Sequence, residues 1–395
     1  MKVRMTVSSK LVDLTDEIKQ AVLKQLETAV YYGGEQAYRF ESELAAYLGA
    51  RHVVGVNSGT SAMLVGLVAL GVGAGDDVIV PSNVYVTNAE VPAFLGARPV
   101  FCDVDEETAN PTVDHILARL TPKTKAVALT HLYGHPVDLD PILELARDRN
   151  FKVIEVGPHA LGAEYKGRKV GTIGDVCAFS LGSKNISVFS TGGAASTNST
   201  EVYRAMTEIS RHGWPRVPFK EQLFENPEFK DSPMATMFPL ERDSVRPGLN
   251  LQLDEIPCAI GRIVLRKLDG WNERRREVAA LYTRLLRESG TPLKPLAVKP
   301  WAKHAYLHYT ARAKNRDALF QYLIDSGIEA WIIYPIPIPE MRYYRKHYPT
   351  PPDVYPNAKK LVGDIINLPI NPWITDEQVQ YVVDCVREFY RANPA

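Results

Sequence analysis

The chain has 395 residues, 45% of them hydrophobic and 23% charged, which is an ordinary globular composition. Lysine plus arginine equals aspartate plus glutamate at 46 each, so the formal net charge is zero, and no basic run interleaved with aromatics indicates a nucleic-acid surface. The most apolar stretch, residues 62–74, is too short to span a bilayer. The four cysteines lie far apart without a CxxC pair, so we expect a cytoplasmic protein with free thiols and no zinc site.

From residue 53 to about residue 197, the chain alternates β-branched runs with segments of helical length. Apolar strand runs separated by helices predict a mostly parallel sheet with helices on both faces. Ligands in such sheets bind beyond the carboxyl ends of the strands. The predicted strands lie at residues 53–56, 77–80, 98–101, 125–129, 152–154 and 176–179, and the predicted helices at 61–70, 87–95, 113–120 and 140–149.

The pattern changes after residue 201. Residues 214–247 are rich in proline, phenylalanine and charge and are predicted to be irregular, and one long helix is predicted from about residue 254 to 289. A strand at 306–311 and helices at 316–326 and 376–391 predict a smaller α/β unit. We therefore predict a large domain over residues 12–250 and a small C-terminal domain over 251–395, with residues 1–11 as an N-terminal arm.

Lys184 stands just after the sixth predicted strand, in the segment Phe179-Ser180-Leu181-Gly182-Ser183-Lys184-Asn185. A lysine among small residues at a strand end can approach a flat cofactor closely, and partial loss of water lowers its pKa toward the free amine that forms a Schiff base. Taken alone, the residue fits a surface lysine better than a catalytic one.

A second candidate site lies between the first predicted strand and its helix, at Asn57-Ser58-Gly59-Thr60-Ser61. Backbone N–H groups and the hydroxyls of Thr60 and Ser61 meet there at a helix N-terminus, where the helix dipole and the unpaired donors favour a phosphate. The same residues are also ordinary helix caps, and capping alone would explain them.

Two ring-bearing residues follow strands of the predicted sheet. Tyr85 comes just after the second strand and can lay its ring on a flat cofactor, although a half-buried loop aromatic is an equal alternative. His159 follows the fifth strand and can donate to a cofactor oxygen, although a single loop histidine is more often only solvated. No HExxH motif occurs, and His131 and His135 sit in a strand-end loop, so we expect no metal site.

Together these segments resemble the sugar aminotransferases of the DegT/DnrJ/StrS family over nearly the whole chain. The resemblance implies an α/β fold of the aspartate-aminotransferase type, with a large domain around a mostly parallel central sheet and a smaller C-terminal α/β domain. The matching segments are 57–62 (NSGTSA), 131–135 (HLYGH), 161–171 (LGAEYKGRKVG), 174–175 (GD), 179–180 (FS), 183–185 (SKN), 192–193 (GG), 211–213 (RHG), 248–250 (GLN) and 253–255 (LDE).

The resemblance also implies a cofactor, pyridoxal 5'-phosphate (PLP). Lys184 would be its Schiff-base lysine and the proton shuttle. Gly59, Thr60 and Ser180 would hold the phosphate, and Ser61 is counted among the cofactor-binding residues beside them.

Three further roles follow from the same resemblance. Tyr85 would stack on the cofactor ring, and His159 would lie near the ring hydroxyl. Asn250 would reach the phosphate bound by the neighbouring subunit, which implies a homodimer with shared active sites.

The chain departs from the family after the fifth strand. The family usually reads Glu-Asp-x-Ala-(Gln/His)-Ala, whereas this chain reads Glu155-Val156-Gly157-Pro158-His159-Ala160. The expected aspartate keeps the pyridine nitrogen protonated, so that the ring can accept electrons. Val156 is counted among the cofactor-binding residues by its position, but it cannot do this, and it leaves a pyridinium without a charge partner in a dry site. Because strand neighbours point to opposite faces, Glu155 is predicted to face away from the ring unless a bulge at Gly157-Pro158 rearranges it.

Two smaller departures point the same way. Gln252 stands where the family often has arginine, and Ile333 stands where it often has histidine. Both positions usually lie near the substrate end of the site, so the substrate or the reaction is expected to differ.

Three functions therefore remain open at this point. The first is transamination, in which a ketone on a nucleotide-linked sugar or cyclitol becomes an amine, with Glu or Gln as donor, in amino-sugar or antibiotic-type biosynthesis. The second is another reaction at an amine-bearing carbon, such as epimerisation, elimination or decarboxylation. The third is a non-enzymatic relative that binds a ligand and acts as a partner or regulator. Lys184 argues against the third function, and Val156 weakens the first.

Overall fold

The computed structural model describes residues 1–4, 15–28, 30–182, 191–215 and 244–394. Two amphipathic helices precede the sheet, α1 (Thr15–Glu27) and α2 (Glu35–Leu48). Helix α2 ends at Gly49, whose φ of 76° supplies the left-handed residue that commonly terminates a helix. Neither helix was predicted from the sequence.

The large sheet in the described residues has seven strands, which lie in the order β1 (His52–Val56), β9 (Gly193–Thr197), β8 (Val176–Ser180), β5 (Lys152–Val156), β4 (Thr124–Thr130), β2 (Asp77–Pro81) and β3 (Arg98–Cys102). The pairs β2/β3, β2/β4, β4/β5 and β5/β8 are parallel, whereas β9 runs antiparallel to both β1 and β8. The mostly parallel sheet is thus confirmed, and all six predicted strands belong to it. Between β5 and β8 in the sequence, β6 (Glu164–Tyr165) and β7 (Arg168–Lys169) form a small hairpin outside this sheet.

The strands are joined by helices near the predicted positions. These are α3 (Gly59–Ala69), α4 (Thr87–Phe94), α5 (Val113–Leu117) and α6 (Leu139–Arg149), followed after β9 by α7 (Thr200–Ile209). Helix α3 carries no charged side chain and packs against β8 and β9, so its burial holds its first turn against the ends of those strands.

The single long helix predicted over 254–289 is wrong, because two helices occupy this stretch, α8 (Glu255–Leu265) and α9 (Leu268–Ser289). Arg266 and Lys267 form the turn between them, where the Lys267 N–H donates to the Val264 carbonyl. The flanking Leu265 and Leu268 are both buried, so the turn redirects the chain while both apolar ends stay covered. No glycine or proline marks this turn in the sequence.

The C-terminal part builds a second, three-stranded sheet in the order β10-β12-β13. The predicted strand at 306–311 begins later, at Tyr309, because Tyr306 has a left-handed φ of 47° that a strand does not accommodate. The elements are β10 (Lys294–Pro295), β11 (Ala302–Lys303), β12 (Tyr309–Arg312), α10 (Arg316–Asp325), α11 (Arg342–His347), α12 (Pro356–Asp364), β13 (Ile365–Leu368) and α13 (Asp376–Ala392); β11 pairs with β6.

The buried apolar residues form separate clusters. Residues 253–268 pack with Phe40 and Leu44 of α2. Apolar residues of α9, β12, β13 and α13 enclose a cluster of their own that also takes in Val3. All four cysteines are buried and free, as predicted. Within the described ranges, no helix is both long and apolar enough to cross a bilayer. Most of the segment predicted to be irregular, residues 216–243, lies outside the described residues.

Candidate active site

The first turn of α3 points its backbone donors at the carboxyl edge of the sheet. Ser58 caps the helix by accepting from the Ser61 N–H at 3.0 Å, and the Ser61 hydroxyl donates to Asn57 Oδ1 at 2.6 Å. Both polar groups of Ser61 are therefore used inside the cap. The N–H groups of Gly59 and Thr60 are helix-terminal donors without an intrahelical acceptor, so these two residues supply the anion-binding donors of the turn.

Glycines make this turn possible at two points of close approach. A Cβ on Gly59 would lie 2.7 Å from the Ser180 Cβ, and a Cβ on Gly193 would lie 2.1 Å from the Ser58 carbonyl oxygen. Only hydrogen fits at either position. The turn at residues 58–60 is consequently pressed against the end of β8 and the start of β9, and the Ser180 hydroxyl is brought beside the helix N-terminus.

The floor of the site is apolar. Val156 ends β5 and pairs in register with Ala178 of β8, and both residues line the same cavity. No acidic, lysine or arginine side chain occurs among the described residues of that lining. A positive charge on a ring held above this floor would therefore lack a counter-charge from the described part of the chain.

Glu155 faces the opposite side of β5, as predicted from strand alternation. Its side chain is fully buried, and one carboxylate oxygen accepts from His131 Nε2 at 3.0 Å and the Gly171 N–H at 3.1 Å. The other oxygen accepts from the N–H groups of Ile173 at 3.0 Å and Gly174 at 2.8 Å. Burial alone would raise the pKa of Glu155, but these donors outweigh it and lower the pKa.

His131 is in turn fixed by the chain that follows it. The Val137 N–H donates to His131 Nδ1 at 3.0 Å, so the ring proton resides on Nε2 and is donated to Glu155. With four donors on its carboxylate, Glu155 has no group left to turn toward the cavity. The rearrangement considered at Gly157-Pro158 does not occur.

His159 is buried, so the alternative that it is only a solvated loop histidine is wrong. The Tyr133 N–H donates to His159 Nδ1 at 3.1 Å, which places the ring proton on Nε2. That nitrogen lies 3.3 Å from the Tyr334 hydroxyl. His159 is therefore a neutral imidazole that presents an N–H donor toward the cavity it lines.

Two tyrosines cover the cavity from different parts of the chain. Tyr85 is 54% exposed, and its ring centroid lies 5.7 Å from that of Tyr334. Burial raises the pKa of the Tyr334 phenol well above its usual range, so it remains protonated at neutral pH. An exposed ring over an apolar floor leaves Tyr85 available to stack on a flat ligand.

Six of the nine predicted site residues line one cavity of 340 Å³. This volume falls in the usual range for small-molecule sites, about 300–1,000 Å³. The structure therefore brings together residues that are separated by more than 120 positions in the sequence. The six are Gly59, Thr60, Tyr85, Val156, His159 and Ser180.

The other three predicted residues are placed differently. Ser61 is not part of the lining and serves the helix cap. Asn250 is exposed, pairs with Arg211 and is also absent from the lining. Lys184 lies outside the described residues, although Ser180 on one side of it and Thr191 on the other both line the cavity.

Sequence reasoning missed several lining residues. Asn88 accepts from the Thr130 hydroxyl and donates to the Tyr85 carbonyl, which fixes the loop carrying Tyr85. Tyr334 comes from the C-terminal part of the chain, and its only signal was the neighbouring Ile333, where the family pattern was broken. Ile333 also lines the cavity, as its position near the substrate end implied.

The residues present fit PLP. The turn at 58–60 offers paired backbone donors and a hydroxyl to a phosphate, and its packing leaves room for no added Cβ. The flat floor and the exposed Tyr85 ring match a planar pyridine, and the His159 N–H matches its ring oxygen. This combination, at the carboxyl edge of a mostly parallel sheet, is that of a PLP-dependent enzyme with the aspartate-aminotransferase fold.

The comparisons with known proteins specify the class further. Residues 12–387 match the model of the DegT/DnrJ/EryC1/StrS aminotransferase family, and the chain belongs to this family of PLP-dependent enzymes. It is 34% identical over 381 residues to the dTDP-3-amino-3,4,6-trideoxy-alpha-D-glucose transaminase of Streptomyces venezuelae, covering 95% of this chain and 93% of that protein.

A second relative and a solved structure agree with this assignment. The UDP-N-acetyl-3-dehydro-alpha-D-glucosamine 3-aminotransferase of Acidithiobacillus ferrooxidans is 32% identical over 375 residues, covering 95% of this chain and 94% of that protein. The crystal structure of S. venezuelae DesV superimposes with a TM-score of 0.88 at 30% identity, covering 98% of both chains. The family expected from the sequence motifs is confirmed.

Proposed function

We propose that the protein transfers an amino group from glutamate or glutamine to a ketone carbon of a nucleotide-linked sugar or cyclitol. The observation that carries this proposal is the cavity that joins the donors of Gly59 and Thr60 to an apolar floor and to His159. Both named relatives act on nucleotide-linked sugars, dTDP-linked in one and UDP-linked in the other, which supports the substrate class.

The chain's own residues divide the work of the site. PLP, when bound, supplies an electron-withdrawing ring and an aldehyde that accepts an amine. Gly59, Thr60 and Ser180 bind the phosphate, Tyr85 covers the ring and excludes water from one face, and His159 donates to the ring oxygen. Asn88 keeps the loop of Tyr85 in position through its two hydrogen bonds.

We assign the covalent attachment to Lys184. It is separated by only three residues from Ser180, which lines the cavity. A lysine so placed also holds and returns the proton that leaves the substrate carbon. We expect a visible absorption band in purified protein supplied with PLP, loss of that band in Lys184→Ala, and fixation of the cofactor at residue 184 by borohydride. A persistent band or a label elsewhere would remove Lys184 from this role.

We also propose a homodimer in which Asn250 completes the partner's phosphate site. Asn250 is exposed and lies outside its own chain's cavity. Its neighbours Val245 and Leu249 are 58% and 48% exposed, which is an apolar surface suited to burial between subunits. Dimer mass in sedimentation, together with weaker PLP binding in Asn250→Ala, is the expected result. A monomeric protein with unchanged PLP affinity contradicts the proposal.

Val156 favours a second candidate function. We infer that valine replaces the carboxylate that would hold the pyridine nitrogen protonated, since Glu155 faces away and no acidic side chain of the described chain lines the cavity. A neutral pyridine withdraws electron density less strongly than a protonated one. This disfavours transamination relative to epimerisation, elimination or decarboxylation at an amine-bearing carbon.

One pair of measurements separates the two functions. Glutamate added to the PLP-loaded protein should yield pyridoxamine phosphate if transamination is the native half-reaction, and Val156→Asp should make that conversion faster. Val156→Leu keeps the floor apolar and serves as the matched control. If neither glutamate nor glutamine produces pyridoxamine phosphate while another amine is consumed, the second function holds. If Val156→Asp is no faster than Val156→Leu, the role assigned to position 156 is refuted.

We propose a cytoplasmic location and two domains. Four free, buried thiols are typical of a reducing compartment. The large PLP-binding domain was predicted to end at residue 250, and the packing of residues 253–268 against α2 favours a boundary near the start of α9 instead. The pairing of Val3 with Ile328 supports an N-terminal arm that packs on the small domain.

A further inference from the structure

A second cavity, larger than the first at 920 Å³, shares no lining residue with the cofactor cavity. Its walls come from the C-terminal half of α9, from β10 and the segment after it, from residues 304–310, and from Tyr133 and His135 of the large domain. None of the predicted site residues lines it. Its volume is close to the upper end of small-molecule sites, about 300–1,000 Å³.

The lining of this cavity is positively charged in a chain whose net charge is zero. Arg284, Arg287 and Lys294 lie on it, and no aspartate or glutamate does. In the part of the chain that the structure describes, none of these three side chains forms an ion pair. By contrast, Arg274 and Arg276 on the same helix are paired with acidic side chains.

Arg287 lies in the last turn of α9, where its charge stabilises the helix dipole, so the helix alone can account for it. The helix dipole does not account for Arg284 or Lys294. Three cationic side chains thus line one cavity, and no acidic side chain of the described lining neutralises them. A guanidinium group can donate two parallel hydrogen bonds to the oxygens of one phosphate. A phosphate or diphosphate would therefore supply the negative charge that this lining lacks.

The inner wall is aromatic. The rings of His304 and Tyr306 are stacked at a centroid distance of 3.8 Å with 10° between their planes. The Tyr306 N–H donates to His304 Nδ1 at 2.8 Å, which places the ring proton of His304 on Nε2. The left-handed backbone of Tyr306 is costly for a residue with a Cβ, and this conformation sets its ring against that of His304. A flat ring with its own acceptors fits against this wall.

A buried partition separates the two cavities. Tyr133 lines the second cavity, its N–H donates to His159 of the cofactor cavity, and its hydroxyl donates to the Ile333 carbonyl at 2.5 Å. Its exposure is 2%, and its φ is 59°, so it is a buried and strained residue. The two cavities have no lining residue in common, so we assign the second cavity to a ligand distinct from the one undergoing reaction.

We propose that the second cavity binds a nucleoside diphosphate, with its phosphates at Arg284, Arg287 and Lys294 and its base at Tyr306. Occupancy is transmitted to the cofactor cavity through Tyr133. The N–H of this residue sets the orientation of His159, and its hydroxyl, which Tyr133→Phe removes, holds the carbonyl of Ile333 in the lining of that cavity. A free nucleotide and the nucleotide part of a sugar nucleotide share this chemistry. The assignment is independent of which reaction the cofactor site performs.

The test uses the full-length, PLP-loaded protein and calorimetric titration with UDP and dTDP. Arg284→Gln/Arg287→Gln should weaken the affinity at least tenfold, a loss of about 1.4 kcal/mol. Arg274→Gln, a substitution of a paired arginine on the same helix, should leave the affinity unchanged. The two cavity arginines are exposed and unpaired among the described residues, so thermal unfolding of the double variant should match that of the parent protein.

Two further arms distinguish the outcomes. A UDP-sugar that competes with UDP in the titration indicates that the bound form includes the sugar nucleotide, and an absence of competition indicates the free nucleotide; both support the site. Nucleotide addition should also shift the absorption band of the bound cofactor, and Tyr133→Phe should keep binding while reducing that shift. Equal affinity of the parent and the Arg284→Gln/Arg287→Gln variant overturns the proposal. Binding of inorganic pyrophosphate as tight as that of UDP overturns the role of the aromatic wall.

Discussion

Replacement of Glu155 by glutamine tests the arrangement that turns β5 so that Val156 faces the candidate active-site cavity. Each carboxylate oxygen of Glu155 accepts from two N–H donors, and the side chain is inaccessible to water. A glutamine amide keeps one acceptor oxygen and turns an NH2 group toward the other two donors. In either orientation, two hydrogen bonds are lost and two buried donors are left without an acceptor.

The expected loss is large on the scale of protein stability. A buried donor left unsatisfied costs about 1–3 kcal/mol, so the two donors together predict a loss of about 2–6 kcal/mol. A typical domain is stable by only about 5–15 kcal/mol. Urea unfolding followed by circular dichroism should show a lower midpoint for Glu155→Gln. Glu107→Gln is the matched control, because Glu107 pairs with Lys299 at the surface and is expected to contribute under about 1 kcal/mol.

The pH dependence gives an independent check. The pKa of Glu155 is lowered in the folded protein, so its contribution is complete above the unfolded value of 4.5 and is lost as the pH falls through the folded pKa. The difference between the parent protein and Glu155→Gln should therefore shrink in acid. A loss below about 1 kcal/mol at neutral pH, or a difference that grows on acidification, would show that the four donors do not hold this carboxylate.

Further predictions concern the phosphate turn and a buried histidine. Gly59→Ala should weaken PLP binding at least tenfold, because its Cβ would lie 2.7 Å from the Ser180 Cβ. The control is Gly270→Ala, whose Cβ would have no atom within 4 Å; it should leave PLP binding intact and stabilise the protein by about 0.5–1 kcal/mol. Similar PLP affinities of the two variants would contradict the close approach. Ser58→Ala should cost about 1 kcal/mol in urea unfolding by removing the cap of α3, and an unchanged midpoint would show that the cap is dispensable. Burial lowers the pKa of His135 to about 4, below its unfolded value of 6.5, so its contribution of up to about 3 kcal/mol should be lost as the pH falls from 6.5 to 4; His135→Gln should flatten this decline, and an identical pH profile would contradict it.

The sequence predicted those elements whose pattern is local. Strands such as residues 77–80 are recognisable from runs of β-branched residues. The turn at residues 57–61 is recognisable from hydroxyl residues before an apolar helix. Strand β9 was missed because Gly193–Thr197 consists mostly of small residues, which carry little strand propensity, and its antiparallel course depends on the space beside Ser58.

The remaining features depend on contacts between distant segments. The burial of His159 follows from Tyr133 and Tyr334, and Tyr334 comes from a segment 175 positions away. The turn at Arg266 arises because α8 packs into one apolar cluster and α9 into another, and no glycine or proline in the local sequence indicates it. The orientation of Glu155 was nevertheless predictable, because strand alternation alone decides it.

The wholly apolar character of α3 determines how the protein responds to loss of its cofactor. Its inward residues, from Ala62 to Leu67, are anchored in the largest apolar cluster, so the helix cannot tilt or unwind at its start without exposing that cluster to water. The turn at residues 58–60, which we propose binds the phosphate, is therefore preformed and keeps its geometry without the cofactor. Reconstitution of stripped protein should then proceed as simple docking without refolding, and phosphorylated analogues with altered rings should be accepted at the same turn.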